Sequence, residues 1–175
     1  MVQKSGANAV ILTLLGAAPF IIADWFVWFP FQPATFLGIE TGEEILALWH
    51  YSIIAIALYG AGLLCFLSGS RWGGTIGREG ETPDSATLWL SVLMALFAAI
   101  MAFICVLGVM IGDDMNRGVA PFASYAMYAL AAGYLVILAF DVHANYPIGY
   151  VRARIVESIV GALSLGISAW YIGPR

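Results

Sequence analysis

The stretch LWLSVLMALFAAIMAFICVLGVMI, Leu88 to Ile111, decides the fold class. It contains no charged residue, and its apolar side chains follow one another without the alternation of a half-exposed strand. A membrane helix needs about 20 such residues to cross roughly 30 Å of hydrocarbon. A closed barrel, the other structure that satisfies its backbone inside a bilayer, is built from alternating strands of about 10 residues. The stretch therefore reads as a transmembrane helix.

The same pattern recurs on both sides of it. Cutting the chain at its charges and glycine clusters predicts helices at about 7–29, 45–69, 87–111, 118–140 and 155–172, the last the shortest. Over the 175 residues, 62% are hydrophobic and 10% charged, with a mean hydropathy of +0.91. A soluble domain has roughly 45–50% apolar and about 25% charged residues. The expected architecture is all-α: a polytopic integral membrane protein, residues 1–175 forming one bundle of five transmembrane helices. The apolar run after Lys4 exceeds the roughly 7–15-residue core of a signal peptide, so the first helix is expected to be retained. The net charge of −4 and the lack of a basic run exclude nucleic acid as a partner.

Five spans place Lys4, Arg71, Arg78, Arg152 and Arg154 on one side and Arg117 and Arg175 on the other. The excess of positive charge puts the N-terminus inside and the C-terminus outside.

Charged groups in a bilayer are costly and tend to be functional, and the predicted helices hold theirs near the ends. At the outer end, Asp24 and His50 sit at similar depth in antiparallel neighbours and are placed to pair, beside an aromatic belt of Trp25, Trp28 and Trp49. At the inner end Arg71, Asp141, His143, Arg152, Arg154 and Glu157 converge. The expected role of this cluster is a ring of headgroup anchors with one or two ion pairs; Arg154 and Glu157, three apart, would face each other on a helix. The functional alternative is a site for a small anion or lipid headgroup, for which the arginine fork is suited.

No cofactor, metal or catalytic residue is read from the chain. His50 and His143 lie at opposite ends of the bundle and cannot share a heme. No cysteine and histidine spacing suits zinc or an iron–sulfur cluster, and no membrane-embedded lysine offers a Schiff base. Cys65 and Cys105 differ in expected height by roughly 20 Å, whereas a disulfide needs Cα atoms within about 7 Å.

Small residues suggest where helices approach. Ala57, Ala61, Cys65, Gly69 and Gly73 recur every fourth position, and Ala162 and Gly166 repeat the spacing; such ladders allow close backbone packing and are compatible with a homo-oligomer. Pro19 removes a backbone donor and predicts a kink in the first helix. Tyr59, Tyr125, Tyr128 and Tyr134 are expected to supply interhelical hydrogen bonds.

These blocks carry a resemblance. LGAAPF (Leu15 to Phe20), then Tyr59, Gly60, Phe66, Leu67, Ser68, Gly69, Trp72 and Gly73, then Tyr150 and Arg152, resemble the ordered motifs of the family of domain of unknown function 3429 (DUF3429), the transmembrane protein 69-like inner-membrane proteins. A proline that the family often places after Ser-Val-Leu in helix 3 is Met94 here. The resemblance implies a five-helix protein of a bacterial or mitochondrial inner membrane and carries no established reaction.

The functional expectation is a noncatalytic accessory or assembly subunit, surrounded by lipid and packed beside a larger respiratory or photosynthetic complex. It rests on small size, an uncharged helix interior and the lack of paired ligands. A small oligomeric transporter or channel is the alternative. An enzyme acting on lipid through Asp141, His143 and Arg152 is the third reading.

Overall fold

The computed structural model describes residues 3–76, 85–114, 119–142 and 148–174. Among them the chain is all helical: α1 (Gln3–Trp28), α2 (Phe31–Phe36), α3 (Gly42–Ile76), α4 (Ser85–Asp114), α5 (Pro121–Val142) and α6 (Ile148–Ile172). Among the described residues, four segments are long and apolar enough to cross a membrane: Gly42–Ser70, Ser85–Gly112, Pro121–Val142 and Val151–Ile172. The sequence had suggested five. In α1 the apolar segment among the described residues, Leu15–Trp28, is shorter than these four.

α3, α4 and α6 also extend beyond their expected limits, and the longest, α3, has 35 residues. The expected last helix was the shortest at 155–172, yet α6 starts at Ile148. Charge had been taken as a stop signal, but a helix continues through a charged residue when folding supplies that residue with a partner.

The turn between α1 and α3 shows how local chemistry shapes this end of the bundle. Pro30 leads into the short α2, which the sequence reading did not anticipate. At the end of α2, Gly38 takes φ +72°, the left-handed region that glycine enters without a Cβ clash. Its N–H donates to the Thr35 carbonyl while the Ile39 N–H reaches back to Ala34, closing the helix. α3 then starts with a reciprocal cap: the Glu44 N–H donates to the Thr41 hydroxyl, which donates to the Glu44 carboxylate.

α3 packs along α4 and α5 along α6; α4 joins α5, and α1 closes the circle between α3 and α6. α3 also reaches across to α5 and α6. The core that results contains Phe20, Ile53, Ile56, Leu64, Met127, Tyr134 and Leu165. Phe20 holds the edges of Tyr59 and Tyr134 at centroid distances of 5.0 and 6.2 Å, geometry that favours aromatic contact beyond simple area burial.

Glycines mark the closest approaches. A Cβ on Gly108 would stand 2.6 Å from that of Ala123, and one on Gly161 would stand 2.8 Å from the Tyr134 ring. Gly133 lies equally close to Leu64, and Gly60 lies against Leu165. In the expected ladder, Ala57 and Ala61 are buried in the core and Cys65 packs at its edge, its thiol donating to the Ala95 carbonyl at 3.5 Å. Gly69 is exposed, and a Cβ there would meet nothing within 4 Å; the same holds at Gly166. Among its described members the ladder packs at Ala57, Ala61 and Cys65 and not at Gly69, because spacing does not tell which side of a long helix is covered. Both Cys65 and Cys105 are free thiols, and α1 runs through Pro19 as one helix.

Candidate functional site

The cluster expected at the inner end divides in two. Asp141, near the end of α5, and Arg154, about 9 Å into α6, form a buried ion pair with Nε 3.3 Å from Oδ2. The Arg154 guanidinium also donates to the Leu67 carbonyl at 2.8 Å and to the Ser70 hydroxyl, both on α3. One arginine therefore ties three helices. Arg154 and Asp141 are 2% and 1% exposed, so the pair is held in the interior of the bundle. Two ions held in low dielectric are tolerated only with such extra hydrogen bonds.

Glu157 makes no close ion pair with Arg154 among the described residues, although the charge of Arg154 reaches it. Its Oε1 lies 3.0 Å from where a Cβ on Gly16 would stand, so the carboxylate rests against the backbone of α1. Glu157 is half-buried and sits about 14 Å into α6. Arg152 is exposed. His143 and the side chain of Arg71 lie outside the described residues, as does Gly73 beyond its helical backbone.

Two tyrosines tie the middle of the bundle together. The Tyr59 hydroxyl donates to the Gly16 carbonyl and the Tyr134 hydroxyl to the Gly60 carbonyl, each at 2.7 Å. Both bonds end at a glycine carbonyl, while the side on which a Cβ would stand is taken by Glu157 at Gly16 and by Leu165 at Gly60. Tyr125 and Tyr128 are instead exposed and line a shallow surface depression with Ser124, Trp170, Gly173 and Pro174, about 500 Å³ in volume.

At the opposite end, Asp24 and His50 are both buried. The partner seen for Asp24 is on α6: the Ser168 hydroxyl donates to its carboxylate at 2.8 Å, while Trp28 Nε1 donates to Ser168 at 3.0 Å. His50 lies beside the Trp49 ring, and Trp49 Nε1 donates to the Val27 carbonyl. Trp28 and Trp49 thus link α1 to α6 and α3, beyond the interfacial anchoring expected of an aromatic belt. Ser168 and Ser70 were absent from the sequence reading; a serine in an apolar helix gives no sign of which side chain it will meet.

The family model described as Protein of unknown function (DUF3429) matches residues 6–170. The chain belongs to that family. Searches of the curated proteins and of the solved structures found no significant match.

Proposed function

We propose that this member of the DUF3429 family is a noncatalytic subunit of an inner membrane, an accessory or assembly protein that packs beside a larger respiratory or photosynthetic complex. The observation that carries this reading is the use of the interior polar groups. Arg154, Asp141, Tyr59, Tyr134, Asp24, Trp28 and Trp49 bond to neighbouring helices or their backbones. Such bonds hold a fixed bundle together, since hydrophobicity alone does not drive helices together in lipid. Outside, α4 offers the broadest apolar face: 28% of its apolar window is buried, against 50% in α3 and in α5. Trp89, Leu93, Leu96, Ile100, Phe103 and Met110 stand on that face, available to lipid or to a helix of a partner.

In this proposal α1 is a fifth span, with the N-terminus inside and the C-terminus outside. The arrangement is supported by contacts at two levels: Gly16 meets Tyr59 and Glu157, and about two to three turns beyond, Asp24 meets Ser168 while Val27 meets Trp49. On this reading α1 runs beside α3 and α6 over both of these levels.

Native purification in mild detergent from cells expressing the protein at its own level tests the function. The expected result is comigration with a large membrane complex on native gels, with stoichiometric partners identified by mass spectrometry. Recovery solely as a free monomer or homodimer would overturn it. A small transporter is the second reading, favoured by the position of Glu157 about 9 Å inside the segment Val151–Ile172. Reconstituted flux that collapses in Arg71→Ala would support that alternative.

A further inference from the structure

Glu157 is a carboxylate set well within a membrane-capable helix and not used to hold the bundle together. It lies about 9 Å inside the segment Val151–Ile172. Arg154, one turn earlier, turns to Asp141, Leu67 and Ser70. Among the described residues Glu157 forms no hydrogen bond and no ion pair. An ionised carboxylate at this depth is costly, and the positive charge that reaches it, on Arg154, is already paired with Asp141.

Its surroundings supply further oxygen. Gly16, near the middle of α1, presents a carbonyl that the Tyr59 hydroxyl meets at 2.7 Å, and the missing side chain at Gly16 gives the Glu157 carboxylate its place. Three residues on, Pro19 has no N–H to offer the Leu15 carbonyl, so the α1 backbone here is not fully saturated by its own helix. Facing this point are Tyr59 from α3, Tyr134 from α5 with its hydroxyl held by Gly60, and Arg154 on α6 itself, held by Asp141. Carboxylate, carbonyl and phenol oxygens form a hard donor set, and a single negative charge matches a single positive one.

We propose that Glu157, the Gly16 carbonyl and the Tyr59 hydroxyl form a binding site for one monovalent cation, a proton or Na⁺, inside the bundle. The site is independent of the subunit reading, since either a subunit or a transporter can hold a cation there.

The test is labelling of the full-length protein in lipid nanodiscs with dicyclohexylcarbodiimide. This apolar reagent reacts with a protonated carboxyl group by addition: the acid proton moves to a carbodiimide nitrogen, the carboxyl oxygen bonds to the central carbon, and an acyl shift to nitrogen leaves a stable acylurea. No atom is lost. Peptide mass spectrometry should find the adduct on Glu157, with labelling that falls from acid to alkaline pH and is absent in Glu157→Gln. Slower labelling in sodium chloride than in choline chloride assigns Na⁺ as an occupant; equal rates with the pH dependence retained assign the proton. If Na⁺ binds, Tyr59→Phe should raise the Na⁺ concentration needed for protection by about fivefold to tenfold, the equivalent of one lost hydrogen bond. Absence of the Glu157 adduct across the pH range, or labelling that changes with neither pH nor Na⁺, would overturn the proposal. The measurement on the unmodified protein stands even if a variant fails to fold.

Discussion

Arg154 is the residue on which the inner half of the bundle depends, because its charge is matched only where α3, α5 and α6 meet. Arg154→Ala would leave Asp141 buried without this partner, a change that typically costs about 3–5 kcal/mol. The expected outcome is a large fall in thermal midpoint in detergent, with Arg154→Lys giving little recovery, since an ammonium lacks the planar fork that serves a carboxylate and two α3 oxygens together. A Lys variant as stable as the parent would show that charge alone is enough. The replacement of both ions, Arg154→Met with Asp141→Leu, should cost less than either single change, because no uncompensated ion remains. Both residues were legible in the sequence as members of one cluster, but their pairing was not. The i,i+3 rule pointed Arg154 at Glu157 because it sees one helix; Asp141 arrives on a different helix through tertiary packing, which local spacing cannot register.

Among the elements, helix contacts are set by a few glycines at which two surfaces leave no room for a methyl group. Gly161→Ala would drive a Cβ into the Tyr134 ring, and Gly108→Ala would meet both the Cβ and the backbone nitrogen of Ala123. Overpacking of this kind costs about 1–3 kcal/mol, and backbone atoms yield less readily than a ring. Gly69→Ala and Gly166→Ala meet nothing and should stay within about 0.5 kcal/mol of the parent. Chemical unfolding of the four variants in one detergent checks the order; an equal loss at Gly69 and at Gly161 would contradict it. Tyr134→Phe separates ring packing from hydrogen bonding at the same contact. It keeps the ring against Gly161 and removes only the bond to Gly60, for an expected loss of about 0.6–1.7 kcal/mol. The sequence made the long apolar helices legible, since length and lack of charge decide them, and it marked Tyr59 and Tyr134 as interhelical donors. It placed Gly69 in the packing ladder and passed over Gly108, Gly133 and Gly161. Spacing identifies a stripe on a helix, while the neighbouring helices decide which stripe is covered.

For the whole molecule, the open issue is how α1 stands relative to the four membrane-capable helices. Its 26 residues rise about 39 Å, more than the roughly 30 Å of hydrocarbon, although the polar start around Lys4 makes the apolar part shorter. Two hydrogen-bonded levels tie it to its neighbours: Tyr59 with Gly16, then Ser168 with Asp24 and Trp49 with Val27. The residue order along these ties makes α1 antiparallel to α3 and parallel to α6. A helix held this way cannot lie along the membrane surface without breaking bonds that have no water to replace them inside the bilayer. The proposed five-span arrangement would put the chain termini on opposite sides, and the arginines of the 77–84 and 143–154 regions on the N-terminal side. Reporter fusions offer a direct check. A fluorescent protein that folds only inside should be bright when inserted between residues 77 and 84 and dark when joined after Arg175, while alkaline phosphatase should show the reverse. If a reporter before Gln3 and one after Arg175 are active on the same side, α1 does not cross, and the two levels of contact would have to form in a bundle entered from the side.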